Sequence, residues 1–246
     1  KEEVEAVLAS GYIYLRNLTP NLIKLGELRG GSIYSLSSSD QSLQTFQMRT
    51  NDSYAKWETF YKVINMANSI LDYAPGVRNV DGTYTENAMQ SHLTEAYFLR
   101  ALSYFYLVRN WKEVPLVLKS YVDDSQPFDM PKASEADVIA QIKADIETAL
   151  NTGAAKDVFN ASTPWENKGR ATKWALYALM TDVCLWSEDY DGCIKYADML
   201  INANASFRPV FQPLGGEEWF KIFSEGNQAE SIFELNFSTS LSQDKN

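Results

Sequence analysis

Histidine is almost missing from this chain, one residue (His92) in 246, and cysteine is scarce, with only Cys184 and Cys193. These few groups do not fit the Cys/His spacings of zinc sites, and no H-E-x-x-H is present. A P-loop, a G-x-G-x-x-G run and a G-x-S-x-G nucleophile elbow are also lacking, which removes the commonest phosphate-binding, dinucleotide-binding and serine-hydrolase readings. Positive charge is short: 22 Lys and Arg face 32 Asp and Glu, a formal net charge of −10. Nucleic acid and anionic membrane surfaces both call for basic patches, so neither is expected as a partner. No apolar run reaches the ~20 clean residues needed to span a bilayer. Carboxylates are plentiful, yet none sits in a local sequence marking it as the raised-pKa acid of a glycosidase. His92 reads as a structural or solvated residue. The two cysteines read as core packing, with a disulfide between neighbouring helices as the alternative. The expectation is a protein with no cofactor, no metal and no catalytic activity.

What is present is ordinary globular hydrophobicity (45%) and many aromatics: 14 Tyr, 12 Phe and 6 Trp. These supply core volume, and also flat faces able to stack on sugar rings or peptides. The segment Glu95 to Pro115, EAYFLRALSYFYLVRNWKEVP, is apolar on nearly every side. A helix of that kind must have neighbours all round, so it is read as the central helix of an all-α domain, stopped by Pro115. Its polar residues Glu95 and Arg100 would then be buried and need partners on other helices.

Apolar spacing predicts five more helices. The first covers about 2–18, ended by Pro20, and the second about 53–73, broken at Pro75-Gly76. The fourth is opened by a capping box at Ser134 and Asp137 and carries Val138, Ile139, Ile142, Ile146, Ala149 and Leu150. The fifth covers 171–186 and the sixth 190–201. A short helical turn is expected at Trp219 to Phe223, and one strand at Ile232 to Phe237, where Phe233, Leu235 and Phe237 alternate with Glu234 and Asn236. The helices arrive as consecutive hairpins, and the pair Lys168 to Ile201 has the length of a tetratricopeptide unit. Stacked helical hairpins offer concave binding faces, with insertions gathered as loops on one side.

One such insertion, residues 26–53, reads as a long loop, and loops of that length are uncommon in compact domains unless they carry function or are disordered; the alternative is a mobile surface loop with no ligand. It holds Arg29, Tyr34, Asp40, Gln41, Phe46 and Asn51, with Gln47 and Arg49 beside them. Aromatic faces, amides and a guanidinium are the groups that clasp sugars and extended peptides.

Several motifs together resemble the SusD/RagB-like proteins, surface nutrient-binding lipoproteins of Bacteroidetes. Glu95-Ala-Tyr-Phe98-Leu99-Arg100-Ala101, with Tyr104, Leu107 and Val114-Pro115-Leu116, is similar to the family signature. Trp57 to Asn65 with Asn68, Pro131 to Leu150, Gly169-Arg170-Ala171-Thr172-Lys173 and Glu230 to Glu234 follow in family order. Two departures stand out: Glu27-Leu28-Arg29-Gly30 is followed by Gly31 where the family commonly has Asp, and Lys112-Glu113 replaces the frequent Gly-Asp before Val-Pro.

The resemblance implies a tetratricopeptide-like scaffold and a lipid anchor in the outer membrane at a cysteine upstream of Lys1. It also implies delivery of an oligosaccharide or peptide to a TonB-dependent (SusC-like) transporter, without catalysis. On this reading Glu95, Arg100, Tyr104 and Pro115 are the structural signature, and residues 1–246 are one helical-repeat domain, the N-terminal portion of a longer chain. The competing reading, from residues alone, is a helical-repeat scaffold for protein–protein contacts. From composition, the opening at Lys1-Glu2-Glu3 fits either a cytoplasmic protein or one whose leader has been processed.

Overall fold

A computed structural model describes residues 1–123, 127, 129–211 and 220–237. Six long helices form three antiparallel hairpins: α1 (Glu2–Asn17) on α2 (Glu58–Val80), α3 (Glu86–Trp111) on α4 (Glu135–Asn151), and α5 (Lys173–Trp186) on α6 (Tyr190–Ile201). Successive hairpins stack through α2 on α3 and α4 on α5, the arrangement of a tetratricopeptide-like array. Among the described residues the only sheet is two residues wide, β1 (Val114–Pro115) paired antiparallel with β2 (Lys132–Ala133). No helix there is long and apolar enough to cross a membrane.

The core runs through α3. Phe98, Leu99, Ala101, Tyr104, Phe105, Leu107 and Val108 are all buried, against Phe60, Val63, Ile64 and Ala67 of α2 and Ile142 and Ile146 of α4. Gly11 of α1 lets that helix close on α3: a Cβ added there would lie 3.0 Å from Leu99 Cδ1. Helix starts follow local chemistry. The Thr85, Ser134 and Asp189 side chains accept from the N–H groups of Ala88, Asp137 and Gly192.

Several boundaries differ from those read in the sequence. The central helix begins at Glu86, nine residues before Glu95, because Thr85 caps it and its first turns bury Met89, Ser91, His92 and Thr94. His92 therefore lies inside the helix, with Tyr84 Oη 2.9 Å from its Nδ1. Pro75 does not break α2, which continues to Val80. Ala74 is buried, while Pro75 and Gly76 face solvent, so the helix loses one backbone bond and keeps its packing. Pro20 opens a second helical segment, Thr19–Ile23, which passes into a π-helical turn, Lys24–Leu28. The stretch 26–53 includes a short helix at Gln41–Gln44.

Residues 232–237 join no ladder among the described residues. Their recorded backbone bond runs from Glu234 N–H to Lys168 O (2.8 Å), while Phe233 packs edge-on to Phe98. A helical turn occupies Lys221–Ser224, and Trp219 lies outside the described residues. Both cysteines are free thiols, Cys184 buried and Cys193 half-buried.

Candidate functional site

The segment from Thr19 to Tyr54 caps one end of the α3 bundle. Leu25 and Leu28 of the π-helical turn, Leu43 and Tyr54 form a small second core, closed by Met48 and by Trp111 at the end of α3. Apolar burial thus pins the segment at four points, and polar groups finish the task. Lys24 Nζ lies 2.8 Å from Asp40 Oδ1, and Ser35 Oγ donates to Asp40 Oδ2 (2.9 Å). The Gln44 amide meets both backbone groups of Ser35, each at 3.0 Å. Asp52 accepts from Tyr54 Oη (2.7 Å) and from the Arg49 N–H (2.8 Å). The Lys24 hydrogen bond, followed by those of serines, holds the Asp40 carboxyl below its ordinary range. The Tyr54 bond does the same for Asp52, and burial raises the Tyr54 phenol.

The six candidate ligand residues fall into three groups. Asp40 is buried and turned inward onto Lys24 and Ser35. Arg29 is half-buried and donates from Nη2 to Asn110 Oδ1 (2.8 Å) at the end of α3. Tyr34, Gln41, Phe46 and Asn51 face solvent. Tyr34 and Phe46 are 75% and 74% exposed, with Leu36 between them at 87%. Phe46 also sits at φ +56°, a left-handed conformation unfavourable for a bulky aromatic.

Arg29 also lines a cleft of about 450 Å³ that sequence reasoning missed. Its walls are the Thr19–Arg29 segment, Tyr106, Arg109 and Asn110 of α3, and Trp186 at the end of α5. Arg109 lies over the rings of Phe105 (5.0 Å) and Trp186 (5.4 Å) and bonds Asp182 at 3.2 Å. The signal in the sequence was the switch to Arg109-Asn110 after an unbroken apolar run, which marks where the central helix surfaces.

The signature residues hold this frame from below. Arg100 donates to both oxygens of Asp145 (2.8 and 2.7 Å) and to Asn68 Oδ1 (2.8 Å). Asn68 passes its amide to Val117 O and Lys119 O. Burial disfavours the Arg100 charge, but the Asp145 bonds outweigh it and leave the guanidinium above its usual pKa. Tyr104 Oη accepts from Val117 N (2.7 Å), and Pro115 O accepts from Tyr61 Oη (2.6 Å). Glu95 takes Arg170 on both oxygens (3.0 and 2.5 Å) and Tyr12 Oη at 2.7 Å. No three or more His, Cys, Asp or Glu side chains among the described residues gather to hold a metal.

The family model described as "Starch-binding associating with outer membrane" matches residues 4–185. The chain belongs to the SusD-like family. A curated SusD-like protein of Bacteroides ovatus is 29% identical over 167 residues, 67% of this chain and 28% of the relative. A SusD superfamily crystal structure from Bacteroides thetaiotaomicron superposes with a TM-score of 0.72 at 26% identity, covering 82% of this chain and 47% of that one. The surface glycan-binding protein A of Bacteroides uniformis reaches a TM-score of 0.78 over 98% of this chain and 53% of that one. At 19% identity it shares the fold alone. The SusD-like chain thus spans about half of these solved structures and under a third of the Bacteroides ovatus relative.

Proposed function

We propose that this SusD-like chain captures an oligosaccharide at the cell surface, using the 29–53 segment, and delivers it without catalysis to a TonB-dependent outer-membrane transporter. The carrying observation is that Tyr34 and Phe46 stand almost fully exposed on a segment whose interior is fixed by Asp40, Gln44 and Asp52. An aromatic face held out on a rigid support suits a sugar ring, since stacking then costs little ordering entropy. Arg29, Gln41 and Asn51 supply polar contacts, and Asp40 positions the segment rather than touching ligand. The family description, starch binding with outer-membrane association, supports both the ligand class and the place. On this reading a lipid anchor upstream of Lys1 tethers the protein, and residues 1–246 act as the N-terminal portion of a longer polypeptide.

The test is isothermal calorimetry of the wild-type chain and the Tyr34→Ala/Phe46→Ala double variant against neutral oligosaccharides and short peptides. We expect glycan binding by the wild type and a loss of at least tenfold in the double variant. Unchanged affinity removes the segment from the site, and binding of peptides alone replaces the ligand class. Co-purification of a transporter with the protein from outer membranes tests the partnership, and an intact mass from the same material tests the anchor and the chain length.

A further inference from the structure

A second cleft lies beside α1. It encloses about 150 Å³ between α1, the Trp165–Arg170 segment and residues 234–236. Trp165 is 57% exposed on its rim, and its indole N–H makes no hydrogen bond among the described residues. The polar groups around it are already immobilised. Arg170 is clamped by Glu95 through Nε and Nη2 and stacks on Phe159 at 3.9 Å, leaving Nη1 without a hydrogen bond among the described residues. Glu234 takes the Asn227 N–H on both carboxylate oxygens, each at 2.8 Å. Asn236 donates to Trp165 O at 3.3 Å and accepts from Asn227 Nδ2 at 3.3 Å. Gly169 forms the back wall as bare backbone: a Cβ there would fall 2.7 Å from Asn236 Nδ2 and 2.8 Å from Trp165 O.

An uncovered indole face beside fixed amide, guanidinium and carboxylate groups suits a hydroxyl-bearing ring with one apolar face. Arg16 and Arg170 face Glu166 and Glu234 around the same cleft, and Glu95 already occupies Arg170, so carboxylates outnumber guanidiniums by one and the site repels an anion. We propose that this cleft is a second glycan site, taking one ring of a neutral oligosaccharide against Trp165. The inference rests on the reading that the chain binds glycans, and it places a further contact away from the 29–53 segment.

The deciding experiment follows the six ¹⁵N-labelled tryptophan indoles of the full chain by NMR. The Trp165 cross-peak is identified by its disappearance in Trp165→Phe. Maltoheptaose, laminarihexaose and a xyloglucan heptasaccharide are then titrated separately. With at least one of them the Trp165 peak should shift saturably, and should still do so in the Tyr34→Ala/Phe46→Ala variant. Trp165→Ala, an exposed substitution that leaves the core untouched, should weaken that binding event at least tenfold. Binding seen by calorimetry with the Trp165 peak unmoved throughout overturns the second site and leaves the first standing. No binding of any of the three glycans overturns both.

Discussion

Arg100 is charged and 6% exposed in the core helix, and it is tolerated because Asp145 and Asn68 occupy its donors. Breaking one side of such a pair strands the other, at a typical cost of about 3–5 kcal/mol. Arg100→Ala should therefore lower the melting temperature sharply, and a shift within error would show that Asp145 finds other partners. Arg100→Lys should recover only part of the loss, since an ammonium does not reproduce the two-pronged contact. Ser134→Ala is a milder case. Its hydroxyl accepts from Asp137 N–H at the start of α4 at 3.1 Å, and its loss should cost about 1 kcal/mol in denaturant unfolding.

At the scale of elements, the 29–53 segment depends on two carboxylates whose pKa values are lowered, Asp40 by Lys24 first and Asp52 by Tyr54 first. A lowered folded pKa means stability that is present above the unfolded value, about 3.9, and lost as pH falls through the folded one. The segment should stay protected from hydrogen exchange and proteolysis at pH 7, and open below about pH 4 while α3 remains protected. Asp40→Asn should remove much of that pH dependence, and equal protection at pH 7 and pH 3 would count against the mechanism.

The helices were readable because apolar period and cap residues agree over long stretches, as with Ser134 before Val138 and Ile142. The errors fell where context overrode a local rule. Pro75 lies where its missing N–H faces solvent, and residues 232–237 have the alternation of a strand but dock on Phe98 and Lys168 instead of pairing. Composition pointed to the 26–53 region, but not to the inward turn of Asp40. The partner that turns it, Lys24, lies before the region, in a π-helical turn that no pattern announces. Tyr106, Arg109 and Trp186 were invisible as a cleft because they come together only through the packing of α3 on α5.

For the molecule as a whole, the last helix exposes apolar side chains among the described residues. Tyr190, Ile194 and Ile201 stand 60%, 61% and 51% exposed along α6, near the equally bare Phe207, Phe220 and Phe223 in sequence. Helical arrays need a polar outer face at each end for solubility, and among the described residues these apolar side chains interrupt the polar face that Asp191, Lys195 and Asp198 supply. The isolated chain should self-associate or bind a hydrophobic dye, and Ile194→Glu/Ile201→Glu should reduce both. A strictly monomeric chain that takes up no dye would show that the α6 surface is tolerated bare.

The carboxylate of Glu95 has one more implication. Through Arg170 and Tyr12, whose phenol accepts the Ala171 N–H at 2.9 Å, it joins residues from the first, second and third hairpins at a single point. Modular arrays of this shape ordinarily come apart one unit at a time. A staple across all three units makes loosening any one of them felt by the others, so melting here should be a single concerted event that Glu95→Gln splits into steps.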